Sequence, residues 1–397
     1  MVRTQPSAAD QLLLQLAAER GTEVSGRQLE RWRAQPRPLL PANSRTFLGQ
    51  PTGGSTSTAD PALVDLVVWL GQHSRPGADP LYLALSAFGA GLPVPEGTVR
   101  EAFARQVVRF ADRITARLGP APEHGDIQEW VSDQADEVAQ EGAHRLTGVN
   151  RRIRVIDKQL RQLPALAELW QFAADFDPAG ACAEPLDNTG LLFHGLTAAV
   201  GGPGGIDPEV IARMARSQAG RGAPQYTAHL LETDPRDPLV AVRTMPTHQL
   251  PGLPVDSFMN HFVSVAREAP LERLQAGWTA AGEMAVWARS LCCAVEAEIE
   301  SEQPGEASRE WALGQFFGIS RMYLIKGLAE PSPTAGQQAL TALELVFSFD
   351  AINSVLATTD ADGHETMLRL APPFLLKLAA VNVPSGTASV HPSPTAS

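Results

Sequence analysis

Apolar residues recur three and four positions apart along most of this chain, and no stretch sustains the alternation of apolar and polar residues that a half-buried strand requires. The clearest case is a series of eight positions from Leu274 to Ile299, whose spacings alternate between four and three. Breaks rich in glycine and proline separate the helical stretches; they lie at 119–125, 177–190, 201–208, 301–308 and 330–336. This pattern predicts a mainly α fold, with β structure limited to a short hairpin.

The length and composition predict an ordinary globular protein of the cytoplasm. With 397 residues, 44% of them hydrophobic, the chain is long enough for two or three cored domains. The N-terminus has too short an apolar run for a signal peptide, and no run of about eighteen apolar residues offers a membrane span. The three cysteines, two of them adjacent, have neither the number for a disulfide framework nor the spacing of metal ligands.

Charge is distributed unevenly along the chain. The formal net charge is -12, yet residues 1–118 hold 13 arginines against 10 acidic residues. The remainder of the chain is strongly acidic. A basic footprint confined to one segment is the electrostatic condition for binding a polyanion, and the acidic remainder would repel one.

Two short helices joined by a tight turn are predicted near the N-terminus. Ser7 followed by Asp10 resembles a capping box and starts a helix that ends at Gly21. Ser25 and Gln28 form a second capping box a few residues later. The inward face of the second helix consists of Leu29 and Trp32, and its outward face of Arg27, Gln28 and Arg31. Two such helices, the second basic on its exposed side, are typical of a helix-turn-helix.

The residues that follow narrow the prediction to one family. Leu39-Leu40-Pro41 is expected to end the second helix, and a Gly/Ser/Thr-rich loop with the composition of a wing comes next. Asp60-Pro61 starts another helix, and "AGLPVPEGTVREAF" (90–103) has the form of a further helix pair. In this order, with "LERWRAQPRPLLP" before the loop, the segment from about 8 to 118 resembles the MerR-like winged helix-turn-helix proteins.

The resemblance implies contacts with DNA for six residues. It turns three of them toward the major groove: Arg27, Gln28 and Arg31. It sets three near phosphates: Arg33, Arg37 and Arg45. Guanidinium groups suit both guanine edges and phosphate oxygens, so the chemistry agrees. The alternative is that these arginines form a merely solvated helix face.

The helix predicted over 96–118 has two notable faces. Apolar residues form a near-heptad stripe, which either joins two subunits or packs inside its own chain: Val99, Phe103, Val107, Phe110, Ile114 and Leu118. Another face carries an arginine every four residues: Arg105, Arg109, Arg113 and Arg117. Pairing of this row with Glu101 and Asp112 is favoured over phosphate contacts, and the stripe alone does not decide between its two interpretations.

An acidic segment, 126–141, is followed by a basic one, 145–161. We expect them to neutralise one another in a helical hairpin, with a second nucleic-acid contact as the alternative. In the C-terminal half, the series from Leu274 to Ile299 is expected to form core rather than a cofactor site. A set of larger side chains lines either a ligand pocket or an aromatic core: Trp287, Trp311, Phe316, Phe317, Met322 and Tyr323.

Enzyme signatures are weak throughout. Glu141 and His144 have the spacing of metal-binding helices, but no second copy accompanies them. The segment "GGPGGIDPE" lacks the Lys-Ser/Thr of a phosphate loop, and no HExxH or GxSxG is present. We therefore expect no enzymatic activity, no metal and no cofactor.

The expected organisation has four parts: a winged helix-turn-helix domain (1–118), a charged helical hairpin or linker (119–176), an acidic all-helical domain (177–383) and a disordered tail (384–397). The expected function is sequence-specific binding of double-stranded DNA by a homodimeric transcriptional regulator, whose C-terminal domain has a small molecule or protein as a possible partner. Two alternatives stand beside it: a structural or maintenance DNA-binding protein of a plasmid, phage or nucleoid, and a non-enzymatic protein-interaction module. No membrane partner is expected.

Overall fold

A computed structural model describes most of the chain, with gaps. The described residues are 6–42, 46–47, 55–56, 60–119, 127–181, 186–202, 207–220, 222–234, 246–253, 255, 257–317, 319–356 and 371–381. Across them the chain is mainly helical, as the apolar spacing predicts. No helix among these residues is long and apolar enough to cross a membrane. The tail at 384–397 and Arg45 lie outside the described residues.

Sixteen α-helices are described, numbered here in chain order. They are α1 (Ala8–Glu19), α2 (Gly26–Trp32), α3 (Pro61–His73), α4 (Pro80–Gly89), α5 (Glu96–Leu118), α6 (Ile127–Leu160), α7 (Ala167–Phe176), α8 (Asn188–Gly201), α9 (Pro208–Ala219), α10 (Tyr226–Thr233), α11 (Phe258–Glu268), α12 (Leu271–Glu300), α13 (Glu306–Phe317), α14 (Ile319–Ala329), α15 (Ala335–Leu356) and α16 (Pro373–Val381). Two strands, β1 (Thr46–Phe47) and β2 (Ser55–Thr56), pair antiparallel with Thr46 opposite Thr56.

The predicted caps of α1 and α2 are confirmed. The Ser7 hydroxyl accepts a hydrogen bond from the Asp10 N–H at 3.2 Å. At α2 the box is reciprocal, because the Ser25 hydroxyl accepts from the Gln28 N–H at 3.3 Å while the Ser25 N–H donates to the Gln28 side chain at 2.8 Å. These bonds satisfy N–H groups that a helix start leaves without intrahelical partners.

The predicted end of α2 at Leu39-Leu40-Pro41 is wrong, because the helix ends at Trp32. The chain then turns back, and the Trp32 carbonyl accepts hydrogen bonds from the N–H groups of Leu39 (2.6 Å) and Leu40 (3.1 Å). Pro36 and Pro38 in the intervening turn cannot donate to a helical ladder, which stops the helix early.

The turn between α1 and α2 recurs between α4 and α5. Gly21 and Gly91 have φ angles of 78° and 77°, a conformation that favours glycine. The N–H groups of Gly21 and Thr22 donate to carbonyls in the last turn of α1 at 2.9 and 3.0 Å, and those of Gly91 and Leu92 do the same at α4 with the same two distances. Both helix pairs therefore end their first helix with the same glycine-based cap.

One hydrophobic core runs from Leu13 in α1 to Leu378 in α16. Phe103 of α5 packs edge-on against Phe88 of α4 and against Trp278 of α12, with ring centroids 5.8 and 6.1 Å apart. Helix α11 also lies on α5, where Arg100 donates to the Ala269 carbonyl at 2.8 Å, just past the end of α11. Helices on the two sides of the predicted boundary at 118 thus share a core, and the boundary itself stays a prediction.

The apolar stripe of α5 packs inside its own chain. Val99, Phe103 and Val107 are fully buried, and Ile114 and Leu118 nearly so. The series from Leu274 to Val295 in α12 is likewise buried, so its interpretation as core is confirmed. The buried residues of both series therefore pack within one chain, and the expected homodimer stays a prediction.

The predicted hairpin of acidic and basic helices is wrong. Residues of both segments lie on one continuous helix, α6, of 34 residues. No proline interrupts it, and Gly142 allows α8 to pack closely, because a Cβ there would lie 2.9 Å from Leu192 Cδ1. The acidic half cannot fold back on the basic half, since a helix of this length extends for about 50 Å.

Gly89→Ala is expected to destabilise the protein by about 1–3 kcal/mol, because an added methyl group would overpack the core. A Cβ at Gly89 would lie 2.2 Å from Trp278 Nε1. The matched control is Gly148→Ala in α6, where a Cβ would meet nothing within 4 Å; this change is expected to be neutral or stabilising. Urea unfolding of both variants gives the comparison, and equal effects at the two sites would contradict the packing.

Candidate functional site

Helix α2 is held from one side and open on the other. Leu29 and Trp32 are about 1–2% exposed and anchor it on the core beside α1. Arg27 and Arg31 are exposed on the other side, one helical turn apart. Neither forms an ion pair with any residue in the described part of the chain. The two guanidinium groups are thus available to an external partner.

Gln28 lies on the same side but is already engaged. Its side-chain oxygen accepts from the Ser25 N–H at 2.8 Å and from the Ser25 hydroxyl at 2.9 Å. Reading adenine with both ends of a glutamine amide needs the oxygen as well as the nitrogen. While the capping box is intact, Gln28 therefore offers a partner only its NH₂ group.

Arg33 has a structural partner inside the chain. Its guanidinium pairs with the Asp10 carboxylate, and both side chains are less than one-fifth exposed. The pair joins the end of α2 to the start of α1 and fixes the angle between them. Sequence reasoning identified Asp10 only as a capping residue, and its second role has no local signal. The phosphate contact of Arg33 stays a prediction, and a phosphate would have to compete with the Asp10 carboxylate for this guanidinium group.

Arg37 is also paired, although more loosely. Its Nη2 lies 3.2 Å from Glu101 Oε1, and both side chains remain about half exposed. Nearby, the Thr98 hydroxyl donates to the Pro38 carbonyl at 2.7 Å, so the turn after α2 is tied to α5. An exposed pair of this kind contributes little stability and exchanges readily with a stronger anion. Arg45, the sixth predicted contact, lies outside the described residues.

The open side of α2 forms a shallow concavity. It is lined by Ser25, Arg27, Gln28, Glu30 and Arg31. Glu30 is exposed between the two free arginines and weakens the local positive potential. The surface is thus a small, mixed one, with two cations and an amide donor on one rigid helix. Such a surface suits a directed hydrogen-bonding contact better than a purely electrostatic one.

Two of the four arginines in the row on α5 have carboxylate partners, although not the expected Glu101 and Asp112. Arg109 pairs with Asp79 at 2.5 Å, and Arg117 pairs with Glu141. Arg113 lies over the Phe110 ring at 5.7 Å. Burial raises the pKa of Asp79, but the hydrogen bonds from Arg109 and the Leu81 N–H, together with the charges of Arg109 and Arg37, outweigh burial and lower the pKa overall. The carboxylate therefore stays charged and keeps its arginine occupied.

The structure gives less support for a functional site at the other candidate positions. Trp311, Phe316 and Tyr323 are about 1–2% exposed and pack in the core, which supports the aromatic-core interpretation over a pocket at those three positions. Glu141 is engaged by Arg117. Within the described ranges no group of three or more His, Cys, Asp or Glu side chains is arranged to hold a metal ion.

No protein-family model, no curated protein and no solved structure matches this chain. The resemblance to MerR-like proteins therefore stays a prediction that rests on the residues of the N-terminal segment. The case for a function rests on the geometry of α2 and of the elements that hold it.

Proposed function

We propose that this protein binds double-stranded DNA sequence-specifically through α2 and acts in the cytoplasm as a transcriptional regulator. In this proposal α1 and α2 form a helix-turn-helix, α2 enters the major groove, and the β1–β2 hairpin is the wing of a MerR-like domain. Arg27 and Arg31 read base edges. Gln28 adds a single donor, and Arg37 exchanges Glu101 for a phosphate.

The observation that carries the proposal is the contrast among the arginines of this region. Arg33 and Arg37 have carboxylate partners in the chain, whereas Arg27 and Arg31 have none among the described residues. An exposed guanidinium group without a carboxylate partner breaks no ion pair in the chain when it binds, and its planar fork loses less side-chain entropy per hydrogen bond than a lysine does. Bidentate contact of arginine with guanine is the commonest specific contact in the major groove.

Arg27→Ala and Arg31→Ala are each expected to weaken binding to a selected duplex by about 1–3 kcal/mol, because each removes a bidentate base contact. The duplex is first selected from a random library with the full-length protein, and binding is then measured by gel-shift titration. Arg309→Ala on α13 is the matched control, since Arg309 is also exposed and its substitution also removes one positive charge. Equal affinity of all three variants would contradict the assignment of α2.

The same titration separates the alternatives. A discrete, promoter-sized footprint supports regulation, whereas long cooperative coverage supports a structural or maintenance role on DNA. Failure to bind any duplex at low salt would favour a protein-interaction module, because phosphate contacts are strongest there.

A further inference from the structure

The C-terminal half of α6 presents a row of cations for which sequence reasoning expected a neutralising partner helix. The row consists of Arg151, Arg154, Lys158 and, just past the helix end, Arg161, and it is called the basic stripe here. All four side chains are exposed. None of them forms an ion pair with any other residue that the structure describes.

The spacing of the stripe puts its cations on one side of the helix. Steps of three, four and three residues keep successive side chains within one face. With a rise of about 1.5 Å per residue, the stripe spans about 15 Å along the axis. It is thus an extended line of positive charge rather than a single point.

Three of the acidic residues around the stripe, which are Asp157, Glu296 and Glu141, do not neutralise it. Asp157 points inward, where it accepts a hydrogen bond from Trp311 Nε1 at 2.8 Å and pairs with Arg321. Glu296 is occupied by Arg152, with both hydrogen bonds at 2.6–2.7 Å. Glu141, the last residue of the acidic half, precedes Arg151 by about 15 Å of helix, which exceeds the Debye length of about 8 Å at physiological salt.

The stripe is also rigidly mounted. Ile153, Ile156 and Leu160 are buried on the opposite face of α6, in a cluster shared with α12 and α13. The helix dipole favours cations in the last turn, which accounts for Lys158 and Arg161. It does not account for Arg151 and Arg154, because the effect fades within one turn.

We propose that the basic stripe is a second DNA-contacting surface, which binds the phosphate backbone without reading sequence. Double-stranded DNA carries about one negative charge per 1.7 Å of axis, so a 15 Å line of cations faces several phosphates. Three of the four residues are arginine, whose planar fork matches phosphate oxygens. The inference rests on the proposed function, since a protein that binds a duplex at α2 is exposed to such a polyanion.

The test uses the full-length protein with Arg151→Gln, Arg154→Gln and Lys158→Gln combined. Fluorescence anisotropy on a labelled random-sequence duplex is measured across a salt series. We expect at least tenfold weaker binding at low salt, and a log–log salt slope that is shallower by about 0.9 for each phosphate that the variant no longer neutralises. The matched control combines Arg75→Gln, Arg213→Gln and Arg309→Gln, which removes the same charge from exposed positions elsewhere. The control is expected to keep the wild-type slope.

The outcomes separate this inference from the proposed function. If the stripe variant keeps the wild-type salt slope, or if the control variant changes the slope equally, the basic stripe does not contact DNA. This conclusion holds whatever the α2 variants show. If the stripe variant binds random and selected duplexes more weakly by the same factor, the second DNA-contacting surface is supported. This holds even if Arg27→Ala and Arg31→Ala leave binding unchanged and so contradict the role of α2. If light scattering without DNA shows that the stripe variant halves the particle mass, the stripe binds a second copy of the chain, and the DNA contact is overturned.

Discussion

Trp278→Ala is expected to lower the free energy of unfolding by about 3–5 kcal/mol, the range for removing a buried aromatic side chain. Trp278 is 7% exposed on α12, yet it contacts α4 at Gly89 and α5 at Phe103. The cavity would therefore open between helices that lie far apart in sequence. We expect the variant to unfold in one transition at a lower urea concentration, because both parts of the chain lose the same packing.

The control for this change is Trp69→Ala on α3. Trp69 is only partly buried and stacks on His73 of its own helix, with centroids 4.1 Å apart. Its removal is expected to cost less than that of Trp278 because less apolar surface returns to water. Two separate transitions for Trp278→Ala, with residues 1–118 unfolding as in the wild type, would contradict the shared core and support an independent N-terminal domain.

Arg216→Ala is expected to cost about 3–5 kcal/mol, because it leaves a buried carboxylate without its partner. Arg216 is 4% exposed on α9. It donates to both oxygens of Asp177 at 2.9 and 3.3 Å and also pairs with Glu232. Asp177 has no exposed side-chain surface and accepts a further bond from the Gln225 N–H at 2.8 Å. The expected result is a large drop in the urea midpoint at neutral pH.

The sign of the pH dependence follows from Asp177. Burial raises the pKa of this carboxyl, but hydrogen bonds from Arg216 and the Gln225 N–H, together with the charges of Arg216 and His229, outweigh burial and lower the pKa overall. Because the pKa of Asp177 is lower in the folded state than in the unfolded state, where it is about 3.9, ionisation of this carboxyl stabilises the folded protein at pH values above about 3.9. This stabilisation is lost as the pH falls through the folded-state pKa. The difference between wild type and Arg216→Ala should therefore narrow in acid below about pH 4.

Arg152→Ala is the matched control for Arg216→Ala. Arg152 makes the same two-pronged contact with Glu296, but the two side chains are 43% and 37% exposed. Exposed pairs contribute about 0–1 kcal/mol, so this variant should unfold close to the wild type. A similar loss from both substitutions would mean that burial is not what makes the Arg216 network stabilising.

Sequence reasoning succeeds for the parts of α1 and α2 that depend on near neighbours. The box between Ser25 and Gln28 joins residues three apart, and the exposure of Arg27 and Arg31 follows from the period of a helix whose other face is Leu29 and Trp32. It fails for the charges, because opposite charge predicts attraction but not geometry. The acidic and basic segments of α6 attract, yet they follow one another on one continuous helix and cannot meet within it.

The sequence by itself therefore determined where α1, α2 and α3 begin, which faces are apolar and which arginines point outward at α2, because each depends on residues within one or two turns. Only the tertiary structure decided which charges are left without partners. Arg33 meets Asp10 across 23 positions and Arg37 meets Glu101 across 64, whereas the basic stripe meets no partner among the described residues. The physical reason is that ion pairs act over a few ångströms, and only packing brings distant segments of the chain that close.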